Sequence, residues 1–183
     1  MTTLPEPLIY YQKLSSRLLE YAVDDAEDRN SSRALEITEG RHGKGYSSCA
    51  DLLHWLYFRL GVRLPWINRN EHQGWRVGVN ISRLAAHSTF YRRGDTFDAG
   101  DGVIITSNGY DAHAIAVITD LGDGLLATAE YGQPGGMLKL PMVIDGKIGR
   151  RPIKYVLRLE AVLLEAAEAG LLEPPDLPKG MKE

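Results

Sequence analysis

From Asp101 onward the apolar residues of this chain recur at every second position, and short turn signals separate the runs they form. Gly102-Val-Ile-Ile-Thr106, His113-Ala-Ile-Ala-Val-Ile-Thr119 and Leu125-Leu-Ala-Thr-Ala-Glu130 read as strands. Asn108-Gly109 and Gly122-Asp123-Gly124 lie between them, and these residue types tolerate the positive φ that tight hairpins demand. Connections so short leave no room for a crossover, so consecutive strands are expected to pair antiparallel. A fourth strand is expected over residues 153–159, after a glycine- and proline-bearing loop from Gly132 to Pro152. The chain is thus committed to a central antiparallel sheet of about four or more strands.

Before Asp101 the period is different. Leu8, Tyr11, Leu14, Leu18, Leu19, Ala22 and Val23 recur with helical spacing, which predicts a helix over 8–29 with Pro5 and Pro7 at or before its start. A second short helix is expected from Ser31 to Ile37, followed by a loop with three glycines from Gly40 to Tyr46. Ser47 or Ser48 then caps a helix that opens at Cys49 and ends near Gly61, with Leu52, Leu53, Leu56, Tyr57 and Leu60 on its buried face. Residues 64–100 read as irregular, apart from a weak helical period from Ile81 to His87. A helix over 160–171 closes the fold, and Pro174, Pro175 and Pro178 mark a loose tail. Helices first and an antiparallel sheet afterwards define an α+β domain. Without an internal repeat or linker, residues 1–183 are read as a single domain.

Bulk properties narrow the function classes. Apolar residues make up 44% and charged residues 25%, with a net charge of −3 and mixed signs, so a polyanion-binding surface and a nucleic-acid partner are not expected. No apolar run is long enough to span a bilayer, so no membrane partner is expected. The N-terminus has neither a basic region nor an apolar core of the secretory kind. Synthesis into the cytoplasm is expected, with delivery to the periplasm or cell wall, if any, by a leaderless route. A single cysteine rules out an internal disulfide and fits a reduced compartment. The sequons at Asn30 and Asn80 then read as chance matches.

That cysteine is the leading chemical candidate. Cys49 comes after a polar, glycine-rich stretch and opens an apolar helix, where the backbone dipole favours thiolate over thiol. Lone cysteines are usually small buried hydrophobes, but polar Ser47, Ser48 and Asp51 flank this one, which places it at the edge of the core beside backbone N–H groups able to hold an oxyanion. His113 begins an apolar strand and is the best base, sharing a face with Ile115 and Val117. His42, His54, His72 and His87 read as surface or local hydrogen-bonding residues. A third group must orient the imidazole and fix its tautomer. Glu130 ends the next strand and can lie beside His113, with Gln133 and Asp111 as alternatives. Trp75 and Tyr110 are candidates to line a groove, and Ser48 sits where it can cap the helix or touch a substrate. Gly40-Arg-His-Gly-Lys-Gly45 lacks the Ser/Thr and the preceding strand of a phosphate loop. The scattered histidines lack metal-ligand spacing, so no metal or cofactor is expected.

Ser47-Ser48-Cys49-Ala50-Asp51-Leu52-Leu53, Ala99-Gly100-Asp101-Gly102-Val103, Asp111-Ala112-His113-Ala114-Ile115 and Ala129-Glu130-Tyr131-Gly132 together resemble the nucleophile helix and the subsequent strands of the NlpC/P60 and CHAP cysteine hydrolases. The resemblance covers about residues 45–132, within a hydrolase-like core of about 40–160. It implies a papain-like fold with the nucleophile helix packed on the sheet, Cys49 as nucleophile, His113 as base, Glu130 as orienting residue and Tyr46 as an aid to the oxyanion site. The chain departs from the pattern in three respects: Ala112 stands where a glycine usually precedes the histidine, Ala50-Asp51 replaces the usual Ser-Gly, and the 64-residue interval from Cys49 to His113 contains an unusual Trp- and Arg-bearing insert. The activity so implied is amide hydrolysis in a peptidoglycan stem peptide or crosslink by a phage-borne enzyme or a secreted effector, the latter with an immunity or inhibitor protein as partner. The alternatives are an acyltransferase, deamidase or peptidase acting on a protein, and an inactive structural module of a phage or secretion apparatus.

Overall fold

A computed structural model describes residues 6–27, 49–64, 81–131 and 137–181. The expected helix at 31–37 and the glycine loop at 40–46 lie outside these residues. Helix α1 spans Glu6–Glu27, α2 Cys49–Arg59, α3 Ile81–Ala86 and α4 Leu159–Glu168. The strands are β1 Thr89–Phe90, β2 Gly102–Ser107, β3 Tyr110–Gly122, β4 Leu125–Ala129, β5 Leu138–Lys139, β6 Val143–Ile144, β7 Lys147–Ile148 and β8 Arg151–Leu157. They form an open antiparallel sheet in the order β5-β4-β3-β2-β8-β7-β6, with β1 also paired to β8. The architecture is α+β. No described helix is long and apolar enough to cross a membrane.

The hairpin signals act as their chemistry requires. Asn108 and Gly109 have φ of 53° and 82°, and Asp123 and Gly124 have φ of 52° and 80°. Two consecutive positive φ values give the turn whose twist matches that of the flanking strands. Asp145 and Gly146 repeat the device, with φ of 51° and 74°, and turn β6 into β7. The expectation of a plain loop from Gly132 to Pro152 is therefore corrected. Three two-residue strands occupy it, too short to show a period but carried by an Asp-Gly turn. Residues 132–136 lie outside the described part.

The sheet separates two cores. One face carries Ile104, Ala114, Ala116, Ile118, Ala127 and Ala129 against Leu14, Leu18, Leu19, Leu52, Leu53, Leu56 and Leu163 of the helices. The other carries Val103, Ile105, Ile115, Val117, Leu126, Ile153 and Val156 with Phe97. The sheet curls over this second core: Val143 N–H donates to the Gly124 carbonyl at 2.7 Å, and Met142 bridges to Leu125. Small residues on the helix side of β3 let the helices lie close. At Gly102 of β2 the approach is also close, since a Cβ there would stand 2.7 Å from Leu53 Cδ1 of α2.

Helix α2 ends as expected at Gly61, whose φ is +80°. Val62 N–H reaches the Tyr57 carbonyl at 2.8 Å and Gly61 N–H the Phe58 carbonyl at 3.0 Å, the paired bonds of a glycine-terminated helix. The segment after α4 is not a loose tail. Glu173 N–H donates to the Gly61 carbonyl at 2.8 Å and Arg63 N–H to Leu171 at 2.9 Å. Arg59 pairs with Asp176 at 2.7 Å and Arg63 with Glu173 at 2.6 Å, while Leu177 and Met181 pack on the core. Pro-rich composition signals only that the segment is not helical; the backbone groups past Gly61 give it a strand-like partner.

Candidate active site

Cys49 is the first residue of α2 and is half-buried. Its sulfur packs at the margin of the helix-side core. Register explains what holds it there. Strand β4 pairs with β3 only as far as Ala129 opposite Ala116, whereas β3 itself begins six residues earlier at Tyr110. Ala114 therefore has no β4 residue opposite it, and its N–H donates to the Cys49 sulfur at 3.3 Å.

His113 lies one residue earlier, opposite Ile105. Directly opposed residues share a face, so the ring belongs to the Ile115–Val117 side while α2 packs on the other. The site thus straddles the sheet at the place where β4 stops. His113 is only 2% exposed, and its Nε2 lies 3.0 Å from Glu130 Oε2. With Nε2 so occupied, Nδ1 is the ring nitrogen left free of the carboxylate, and the ring is close enough to Cys49 for the two to shift each other's titration. Glu130 is anchored through its backbone, N–H to the Met137 carbonyl at 2.8 Å. Its second oxygen, Oε1, lies 3.3 Å from Thr128 Oγ1. Thr128 is fully buried and also faces the Lys139 carbonyl at 3.4 Å, so one hydroxyl proton serves two acceptors.

Electrostatics reflect this geometry. Burial pushes the Cys49 thiol up, but the His113 ring, the Ala114 N–H and the Ala50 N–H outweigh it, and the thiol ends below its ordinary value. For His113, burial alone would pull the ring down; hydrogen bonds to Cys49 and Glu130, together with their charges, raise it to about 9. Each group favours the charged form of the other, which is the condition for a thiolate–imidazolium pair.

The remaining expected residues are scattered. Tyr46, Ser48, Trp75, Gln133, His42 and His72 lie outside the described residues. Tyr110 is 78% exposed at the β2–β3 turn, apart from the hydrogen-bonded group. Asp111 is engaged elsewhere, with Lys154 Nζ at 3.5 Å from its Oδ1, which leaves Glu130 as the carboxylate on the ring. His87 is exposed, but His54 is buried at 5% and not a surface residue. Asp51, expected at a polar edge, is 4% exposed, because α2 is buried continuously from Ala50 to Tyr57. Thr128 was missed, although its spacing of two from Glu130 on a strand puts both on one face. The Ala114 N–H has no signature in sequence, being a backbone group released by the end of a neighbouring strand.

Among the described residues no group of three or more His, Cys, Asp or Glu is placed to hold a metal ion. A cavity of about 420 Å³ opens at the far end of β3, lined by Tyr91, Phe97, Asp120 and Val143 among others, and contains none of the three site residues. Compared with protein families, with curated proteins and with solved structures, the chain finds no match. Any functional reading therefore rests on the chemistry of the site itself.

Proposed function

We propose that this chain is a cysteine hydrolase of the papain-like kind, similar to the NlpC/P60 and CHAP enzymes, that cleaves an amide bond of a peptidoglycan stem peptide or crosslink. One observation carries the reading: a half-buried sulfur at a helix start accepts the N–H of Ala114, and the imidazole of the preceding residue, His113, which lowers the thiol, has its Nε2 3.0 Å from a carboxylate. That order of nucleophile, base and orienting group is what acyl transfer needs.

In this reading the Cys49 thiolate adds to the scissile carbonyl carbon, and the carbonyl π electrons move to oxygen. The N–H groups of the first turn of α2 have no partner within the helix and would serve as donors to that oxyanion. The imidazolium of His113 gives its proton to the leaving nitrogen as the C–N bond breaks, leaving a thioester and a neutral ring. The ring then takes a proton from water, the hydroxide attacks the thioester carbonyl, and the acid and the thiolate are released with the imidazolium restored. Glu130 acts through His113, as a positioning residue that fixes the ring and supports its positive form.

Purified protein should release soluble fragments from peptidoglycan sacculi, with new amino termini at the cut bond. Cys49→Ala should lower the rate by about 10⁴-fold or more. A Cys49→Ala protein that digests sacculi as fast as the parent would end this reading.

A further inference from the structure

A basic strip borders the same end of the sheet. Lys147-Ile-Gly-Arg150-Arg151-Pro-Ile-Lys154 holds four cations and no acid within a chain of net charge −3. Lys147, Arg150 and Arg151 are exposed, and among the described residues none of them forms an ion pair. Lys154 stays protonated, packed 4.7 Å over the Tyr155 ring and 3.5 Å from Asp111.

Register places this strip beside the site. Ile105 pairs with His113 on one side and with Ile153 on the other, so Ile153 lies two strand spacings, about 10 Å, from His113. Arg151 starts β8 where β2 ends in the β2–β3 turn. Lys154 reaches Asp111, two residues before His113, and Ala112 between them is exposed. The surface therefore continues from the cations to the strand that carries the imidazole. Its span of about 10–15 Å accommodates three or four residues of extended peptide at about 3.4 Å each. Arg150 and Arg151, exposed and without an ion pair among the described residues, together with Lys154 beside Asp111, favour negative charge on the flank of a bound chain and raise its local concentration.

We infer that the substrate is an acidic peptide, whose carboxylates on one side of the scissile amide lie along Arg150, Arg151 and Lys154. The inference rests on the hydrolase reading for what the bound peptide undergoes, but not for the binding itself. Each exposed pair contributes modestly, and three together amount to about a tenfold preference.

Two synthetic stem peptides test it, identical except that the carboxylates of one are amidated. The parent should cleave the acidic peptide with a kcat/KM about tenfold higher at low salt, and the ratio should fall toward unity as salt is raised. The triple variant Arg150→Gln, Arg151→Gln, Lys154→Gln should show a ratio near unity at every salt concentration. Equal cleavage of both peptides by the parent, or a triple variant that keeps the preference, overturns the proposal while leaving the hydrolase reading intact. Fluorescence anisotropy with labelled peptides and Cys49→Ala protein separates the two. If the parent cleaves neither peptide, yet Cys49→Ala protein binds the acidic one about tenfold more tightly and the triple substitution removes that difference, the strip stands and the hydrolase reading falls. Tighter binding of a labelled DNA duplex than of either peptide would assign the strip to nucleic acid and overturn the proposal.

Discussion

Asp101 and Glu130 are both carboxylates at the ends of sheet strands, and both are shielded from water, yet their partners differ in kind. Asp101 is 1% exposed. Its oxygens accept from Leu159 N–H at 2.9 Å, Arg158 Nη1 at 2.9 Å and Asp98 N–H at 3.1 Å. Two of these donors are backbone groups and the third is an arginine, so none of them changes protonation in the ordinary range. The carboxylate supplies the N-terminal cap that α4 lacks locally, where Arg158 makes no side-chain cap, and it ties that helix to the start of β2. Burial raises the Asp101 carboxyl above its usual value despite these donors and the Arg158 charge. Glu130 instead faces a ring that titrates, and that ring faces a sulfur that titrates. A carboxylate surrounded by fixed donors is architecture. One that holds an ionisable ring beside a half-buried nucleophile can take part in chemistry.

The comparison can be broken first at the ring. His113→Ala should reduce hydrolysis by about 10³-fold or more. It should also remove fast iodoacetamide labelling of Cys49 below neutral pH, because the thiolate loses its partner cation. In the parent, labelling should persist below the ordinary thiol range. The linked stability has a defined sign. The folded His113 value, about 9, lies above its ordinary 6.5, so the contribution is complete below pH 6.5 and is lost as pH rises toward 9. The Cys49 thiol, held below its ordinary 9.0, contributes in the opposite sense: its share is present above that value and is lost as pH falls through the lowered folded one. Equilibrium unfolding of parent and His113→Ala across this range checks both slopes.

Glu130→Gln comes next. It keeps a hydrogen-bonding group beside Nε2 but removes the charge, so activity should drop about 10- to 100-fold, and the alkaline limb of the rate profile should move to lower pH as the imidazolium loses support. A profile that stays in place would show Glu130 to be architecture like Asp101. Asp101→Ala should act conversely. Leaving the Leu159 N–H without its acceptor, while Arg158 keeps only the Thr96 carbonyl and Asp95, should cost about 2–4 kcal/mol of stability by chemical denaturation, while the rate of Cys49 alkylation in the folded protein stays within about twofold of the parent. A change in alkylation larger than the change in stability would join the two regions. Thr128→Val should have the smallest effect, a fall of a few-fold in kcat, since Glu130 keeps its backbone anchor at Met137 and loses only a shared hydroxyl proton.

Much of this arrangement is legible in the residues alone. Period-two runs with Asn-Gly and Gly-Asp-Gly turns locate β2, β3 and β4 to within a few residues, because side-chain alternation and positive-φ turns are local properties. The helix opening at Cys49 and closing at Gly61 is equally readable, since caps act within one turn. Strands β5, β6 and β7 are not, because two-residue strands hold no period and depend on neighbours distant in sequence. The segment after α4 escapes a local reading for the same reason: its partners, Gly61 and Arg63, are 108 to 112 positions away along the chain.

Sequence alone determined the residue types of the candidate site, their order and the elements that carry them. It also placed Glu130 at the end of the strand after that of His113, but the two register shifts within the β3–β4 pairing, which the turn does not dictate, set where the two stand against each other. Only the tertiary structure decided that the sulfur and the ring meet across the sheet, that β4 stops at Ala129 and frees the Ala114 N–H, and that Asp111 is drawn off by Lys154. Those outcomes depend on where strands end against one another and how a helix packs on them. Such distances are fixed by contacts between segments far apart in the chain, on which no local pattern reports.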